Sequence, residues 1–331
     1  MKKTLLSLAL LMTSSLSWAG GYQLQEYSVT NLGRSFAGAG MVGDDYSAIA
    51  FNPAAMQLKG DGLQLGSIYA HIRATTNGSL TQGTTTTYGS AELHANKLLS
   101  NAFGQKQIND RITLGAGIYV PFGLGTYYGD KNWFGASHAI NSSITAIDFA
   151  VAASFKLNEQ FSIGASYITE YLESRLTSAG SDMNAHDHTA PGYSVGFMYR
   201  PQPNTRFGVT YRSKIEHDID GPHYLDKMGL HFEGNCSTTL NLPEHVLLSA
   251  YHKINNWGLS AMARWTRWSR FGTLQIKSDA YRQLTGQVDT PPVKEDWKNV
   301  WMIGAGVDYD VNKNWTVRSG LAWDEGAVKR P

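Results

Sequence analysis

Apolar and polar positions alternate along most of this chain. Trp301, Ile303, Ala305, Val307 and Tyr309 share one parity, while Gly304, Gly306, Asp308 and Asp310 share the other. That is the period of a strand with one greasy face and one polar face. The pattern repeats after the short turn Asn312-Lys313-Asn314, where Trp315, Val317, Leu321 and Trp323 alternate with Thr316, Arg318, Gly320 and Asp324. Trp or Tyr closes both ends of each stripe, as in the aromatic girdles of a lipid-facing strand, although a soluble sandwich also alternates. Phe207, Val209, Tyr211 and Ile215 face away from Arg206, Thr210, Arg212, Lys214 and Glu216, so a dry core on that second face would bury four charges. A water-filled or ligand-lined lumen accommodates them.

The same reading gives eleven strands, at roughly 63–75, 91–107, 111–120, 143–157, 161–177, 189–201, 205–219, 237–254, 256–277, 294–311 and 315–324. Some connections are very short, such as Asn158-Glu159-Gln160, Gln202-Pro203-Asn204 and Asn255; others are long, at 121–142, 178–188, 220–236 and 278–293. Short turns on one side and long loops on the other are the habit of an outer-membrane barrel, whose single-chain bacterial forms have even strand numbers. Eleven strands leave the first and last running the same way. Together with the end of the sequence at Lys329-Arg330-Pro331, this predicts further strands beyond the sequence given. Residues 20 to about 60 carry little alternation and are rich in small residues. They are expected to fold as a plug inside the lumen.

Composition agrees with a β-rich chain in contact with lipid. Only 17% of the 331 residues are charged, against 42% hydrophobic, with 34 Gly and 11% aromatics. Met1-Lys2-Lys3, the apolar run from Leu5 to Leu16 and Ser17-Trp18-Ala19 form a signal peptide over residues 1–19, with cleavage before Gly20. The apolar run is too short for a spanning helix, which takes about 20 residues. Without Lys2 and Lys3 the mature chain has 26 positive and 27 negative residues, and no basic block suggests nucleic acid. After residue 20 no apolar run approaches helix-spanning length, which leaves an antiparallel β-barrel as the way to satisfy the backbone in a membrane. A single Cys excludes an intrachain disulfide.

Signals of enzyme chemistry are weak. Gly38, Gly40 and Gly43 match a dinucleotide fingerprint as a string, but no strand precedes them and no βαβ unit follows. His186-Asp187-His188 reads as a solvated loop rather than a metal site. Cys236 reads as a quiet thiol, and no Gly-x-Ser-x-Gly elbow occurs. A lipid-acting enzyme barrel stays open as an alternative; the pre-strand segment of about 40 residues and its Gly and Ala content favour a plugged transporter over that enzyme and over a general porin. No cofactor or metal is expected.

Specific stretches sharpen this reading. GGYQLQEYS, LGRSFAGAGMVGDD, the triplet Asn52-Pro53-Ala54, FGVTYRSKIEHDIDG, LNLPEHVLLSAYHKI and NWTVRSGLAWDEG resemble, in order, the FadL family of outer-membrane transporters for long-chain fatty acids and other hydrophobic compounds. The resemblance implies a fourteen-stranded barrel with a hatch at 20–60, and residues 61–331 as an incomplete barrel. It implies a monomer in outer-membrane lipid whose partner is a hydrophobic small molecule, taken up by binding, hatch rearrangement and lateral exit through a kinked strand, without catalysis. It further implies a shallow groove lined by Phe122, Leu124, Trp133 and Phe134, a deeper pocket near Tyr22, and gating through Asn52, Pro53 and Ala54. The family's carboxylate clamp falls nearest Arg175 and Lys294, with Lys298, Arg212 and Lys214 as inward alternatives if the register is off by one. An aromatic hydrocarbon taking the same route needs no such clamp.

Overall fold

A computed structural model describes residues 21–82, 84–129, 133, 135–137, 139–227 and 229–328. The signal-peptide reading therefore lies outside the described residues. Eleven antiparallel strands form the wall, in the order β1 (Gly62–Gln82), β2 (Thr85–Gln107), β3 (Ile112–Tyr127), β4 (Asn141–Lys156), β5 (Phe161–Ser178), β6 (Ser181–Gln202), β7 (Thr205–Arg212), β10 (His245–Ile254), β11 (Trp257–Thr266), β15 (Val300–Asn312) and β16 (Trp315–Asp324). Between β7 and β10 stands the hairpin of β8 (Ile215–Lys227) and β9 (Leu230–Leu242); β8 pairs with the upper part of β6. Three two-residue strands, β12 (Thr273–Leu274), β13 (Lys277–Ser278) and β14 (Val293–Lys294), and the helix Asp279–Thr285 lie between β11 and β15. Among the described residues β1 pairs only with β2 and β16 only with β15, so the wall has two free edges. No described helix is long and apolar enough to cross a membrane, which says nothing about crossing by strands.

The expected path of eleven strands is present, and the differences lie at its upper end. The run 205–219 divides at Ser213-Lys214, and 237–254 divides at Pro243-Glu244. Ser213 donates its N–H to the Tyr193 carbonyl at 2.9 Å and its hydroxyl accepts the Tyr193 N–H at 3.0 Å, which ends the β7 ladder against β6. The break also shifts the alternation. Ile215 is buried with Arg212, while Lys214 and Glu216 stand outside. The loops expected at 178–188 and 220–236 are instead continuations of β6 and the β8–β9 hairpin.

The outer face carries a continuous apolar band that includes Leu259, Trp301, Ile303, Val317, Leu321 and Trp323, all exposed. Exposed apolar side chains over such an area are stable only against lipid or another apolar surface. The inward face is covered by residues 21–60. Phe36, Met41, Ile49, Phe51 and Met56 pack there against Phe103, Tyr119, Ile168, Met198, Leu247 and Met302 in one buried cluster. Tyr27 stacks on Phe51 at 4.7 Å and lies 4.9 Å from Tyr119, centroid to centroid.

Polar contacts fix this segment at several points. Asn52 caps the 3₁₀ turn Pro53–Leu58 by accepting the Ala54 N–H at 3.0 Å, and its amide donates to the Phe197 carbonyl of β6 at 3.2 Å. The Ala54 carbonyl accepts from the Ser154 hydroxyl at 3.1 Å, and the Met56 carbonyl from Gln105 at 2.9 Å. Arg34 is the strongest anchor. It pairs with its own segment's Asp44 and with Asp308 of β15 at 2.7 Å. The glycine string at 38, 40 and 43 has a bland role: each residue has φ near +74 to +75°, which winds the segment tightly within the curl.

Two wall glycines make this packing possible. Any side chain on Gly164 meets the backbone of Pro53 and Ala54, and one on Gly196 meets the Asn52 amide. Backbone cannot give way as a side-chain tip can, so overpacking here costs about 1–3 kcal/mol or more. Gly164→Val should therefore lower the thermal unfolding midpoint and expose residues 21–60 to protease. Gly104→Ala, whose new Cβ would meet Leu63 Cδ1 at 3.5 Å and the Gly62 carbonyl oxygen at 3.8 Å, both ordinary contacts, should behave as wild type.

Candidate ligand-binding site

The upper ends of β4, β5, β6, β8 and β9 enclose a cavity of about 220 Å³. Leu124, Ile144, Leu176, Met183, Ile219 and Leu240 supply apolar wall, and Phe271, Leu274, Ile276 and Trp297 close it from the β11–β15 connection. Tyr22 forms the floor. Its ring makes edge contacts with Trp268 at 4.7 Å, with Phe271 and Trp297 at 5.7 Å and with Phe122 at 6.0 Å. An apolar concavity with a few hydroxyls at its edge, here Ser142, Ser143, Ser174, Ser237 and Thr238, suits a hydrophobic ligand. Among the described residues no Lys, Arg or His lines it, and the acidic lining residue Glu295 accepts from Trp297 Nε1 at 3.1 Å.

Tyr22 is held as an added piece of sheet. Gln23 bridges Phe122 in antiparallel fashion, Leu24 donates its N–H to the Pro121 carbonyl at 2.8 Å, and Gly123 donates to the Tyr22 carbonyl at 2.9 Å. This addition sits where the wall is irregular. β3 pairs with β2 only from Thr113 to Ile118, and its register against β4 shifts between Tyr119 and Phe122, around Val120-Pro121. Pro cannot donate to a ladder and belongs at edges and bulges. Between the upper parts of β2 and β3 the wall is therefore unpaired, and Tyr22 to Leu24 occupy its inner side.

A charged cluster borders the cavity from below. Arg212 is buried and donates to both oxygens of Asp148, one at 3.1 Å, and to Glu170 at 2.9 Å. His217 lies between Glu170, at 2.9 Å, and Asp187, at 3.0 Å, which ties β8 to β5 and β6. Charges this deep are tolerable only when paired. Cys236 faces the cavity from β9, where burial pushes its thiol up to about 11, so it stays protonated at neutral pH.

The structure brings Tyr22 and Leu124 to the cavity, with Phe122 buried beside Tyr22. Trp133 stands elsewhere, stacked on Tyr128 at 4.3 Å with its indole N–H on the Ala139 carbonyl, and Phe134 lies outside the described residues. Asn52, Pro53 and Ala54 hold the leading segment to the wall as described. The expected clamp needs correction. Arg175 points outward to Asp182 at 3.0 Å, because the inward positions of β5 are the even-numbered ones and Ser174 and Leu176 take the lining places. Lys294 is exposed on β14, and the neighbouring Glu295 faces the cavity. Each misses the lining by one residue, as a one-position slip requires.

Of the alternatives, Arg212 is inward but already paired, Lys214 is outward against Glu216 at 2.8 Å, and Lys298 pairs with Glu325 at 2.7 Å. Of the β8–β9 lining only Cys236 falls in the stretch expected as loop, 220–236; Ile219, Ser237, Thr238 and Leu240 lie in the runs expected as strands, 205–219 and 237–254, which the structure divides so that they form a separate hairpin. His186 and His188 lie together at 4.5 Å, but Asp187 serves His217, and no group of three or more metal-ligating side chains occurs among the described residues.

Comparison with known proteins places this geometry. A family profile described as outer membrane protein transport protein (OMPP1/FadL/TodX) matches residues 10–331. The long-chain fatty acid transport protein of Escherichia coli O6:H1 is 25% identical, over 98% of this chain and 82% of the relative. Outer membrane protein P1 of Haemophilus influenzae is also 25% identical, over 99% and 82%. Among solved structures, a FadL homologue of Pseudomonas aeruginosa has a TM-score of 0.80 and 24% identity, covering 94% of this chain and 82% of that one. The toluene transporter TodX of Pseudomonas putida has a TM-score of 0.71 and 17% identity, covering 94% and 86%. These likenesses establish the barrel fold.

Two measurements check the site. Arg212→Met leaves Asp148 and Glu170 buried without a cation, and loss of one partner of such a cluster costs about 3–5 kcal/mol; the unfolding midpoint in denaturant should fall accordingly, far more than for Arg175→Met. Cys236 should react slowly with a neutral maleimide at pH 7.5, and a hydrophobic ligand in the cavity should slow it at least severalfold further, read by mass spectrometry.

Proposed function

The chain belongs to the outer-membrane transport protein family described as OMPP1/FadL/TodX, and from that premise we propose that it carries long-chain fatty acids or other hydrophobic compounds inward across the outer membrane. A compound leaves the outer surface for the cavity above Tyr22, where each buried CH₂ contributes about 0.8 kcal/mol. Residues 21–60 act as the hatch, and Asn52, Pro53 and Ala54 form their hinge against the wall. Release of Tyr22 to Leu24 from β3 opens the unpaired interval between β2 and β3, and the compound leaves sideways into lipid without any covalent step. The protein works as a monomer embedded in outer-membrane lipid.

The observation that carries this reading is the position of the leading segment. It forms the floor of the cavity and, through the same three residues, fills the inner side of the wall's irregular interval. Binding and exit are thus governed by one element. The cationless lining gives the aromatic-hydrocarbon reading its support, and relatives named for fatty acid and for toluene transport bracket the substrate range.

A disulfide across the Gln23 and Phe122 bridge tests the gate. With Cys236→Ala in the background, Gln23→Cys with Phe122→Cys puts two thiols at a non-hydrogen-bonded antiparallel pair, the kind whose side chains stand closer together. Oxidised cells should lose uptake of labelled oleate and toluene, and reductant should restore it. Uptake that persists with the bridge formed would remove the hatch from the mechanism.

A further inference from the structure

The lumen holds a buried cation that forms no ion pair among the described residues. Arg264 of β11 turns inward and is 5% exposed, opposite Leu247 of β10 and Met302 of β15. Its Nη2 donates to the Met302 sulfur at 3.4 Å, its Nε has no partner, and among the described residues no carboxylate forms an ion pair with it. Asp324, Tyr27 and Glu26 act on it electrostatically without pairing with it. The other two buried arginines are fully served, Arg34 by Asp44 and Asp308 and Arg212 by Asp148 and Glu170. A thioether is a weak acceptor, and an unpaired buried ion costs several kcal/mol even after relaxation. A charge kept at that cost calls for a use.

What covers Arg264 is the segment that floors the cavity. Gln25 Nε2 donates to the same Met302 sulfur at 3.0 Å. One layer higher, Gln23 bonds His245 at 3.2 Å and accepts from the Thr266 hydroxyl at 3.1 Å. Thr266 stands two residues along the same face of β11, so the Cα of Arg264 lies roughly 7 Å from that layer. Tyr22, next to Gln23 in the chain, lines the cavity. Displacing Tyr22 to Gln25 therefore uncovers a route from the cavity toward a buried cation.

We propose that Arg264 is a carboxylate-binding, specificity-determining residue for this transporter. It is hidden while the leading segment lies on β3, and it pairs with the head group of an anionic hydrophobe once that segment shifts. The assignment rests on the transport reading above and adds a division of labour to it. The cavity, with no cation in its lining, selects on apolar surface; Arg264, one level deeper, selects on charge. A guanidinium matches a carboxylate with two parallel N–H···O bonds. Neutral compounds use only the upper level.

The test compares a brominated fatty acid, dibromostearate, with its methyl ester, which shares the tail and lacks the charge. Binding to the full chain in detergent is read by quenching of tryptophan fluorescence, Trp265 and Trp268 flanking the site in sequence, and uptake of the labelled acid and of toluene is read in cells. A hydrogen bond to a charged group contributes about 1.5–3 kcal/mol, so Arg264→Met should weaken acid binding at least about tenfold and leave the ester unchanged. Arg264→Lys should fall between. Folding should not suffer, because Arg264→Met removes an unpaired charge. Equal weakening of acid and ester, no weakening of either, or a wild-type protein that binds both alike would overturn the assignment. If cells import neither compound while quenching follows the expected pattern, the transport reading fails and the carboxylate site stands.

Discussion

A strand that spans lipid must place every backbone N–H and C=O in a ladder, and its side chains then alternate between oil and lumen. The rest of this structure follows from what that alternation puts inside. Asp148, Glu170, Arg212, Arg264 and Asp308 all fall on inward positions of the wall and are buried. They need partners that the wall alone supplies only in part. Residues 21–60 bring Arg34 to Asp308, Asn52 to the carbonyl of Phe197 and a layer of apolar side chains to the remainder.

The same segment defines the cavity. Its first described residues complete the floor with Tyr22 and pair with β3 from Pro121 to Gly123, where the ladder to β2 has ended. Around Asn52 to Met56 three hydrogen bonds tie it to the wall; its first residues are tied by the backbone bonds at Pro121 and Gly123 and by Gln23 to His245 and Thr266. This second end is the one that faces the cavity. Motion confined to it costs a few hydrogen bonds, each about 0.5–1.5 kcal/mol net, and leaves the packed cluster around Met41, Ile49 and Phe51 in place.

Charge is arranged in levels along the lumen. The cavity lining has no cation, the cluster of Arg212, Asp148, Glu170 and His217 is internally paired, and Arg264 stands alone behind Gln25 and Met302. On that side Gln23 bonds His245 and Gln25 donates to the Met302 sulfur.

Period-two alternation sufficed for the wall: the strands around Trp301 to Tyr309 and Trp315 to Trp323, the short turns and the lumenal parity of Arg212 could all be read from residue order, because a strand's side-chain period is local. The family resemblance pointed to Tyr22, Leu124 and Asn52-Pro53-Ala54 in the same way. Arg175 and Lys294 show where residue order stops. Each lies one position from the cavity lining, and a single bulge, such as the one that adds a residue to β6 between Asp187 and Ala190, or a break, such as Ser213-Lys214, changes which side of the wall a charge occupies. The solitude of Arg264, the β8–β9 wall of the cavity and the seating of Gln23 on Phe122 come from pairing between residues far apart in sequence. Only the folded chain decides them, since a counter-ion is supplied or withheld by whatever the wall and its leading segment bring within about 4 Å.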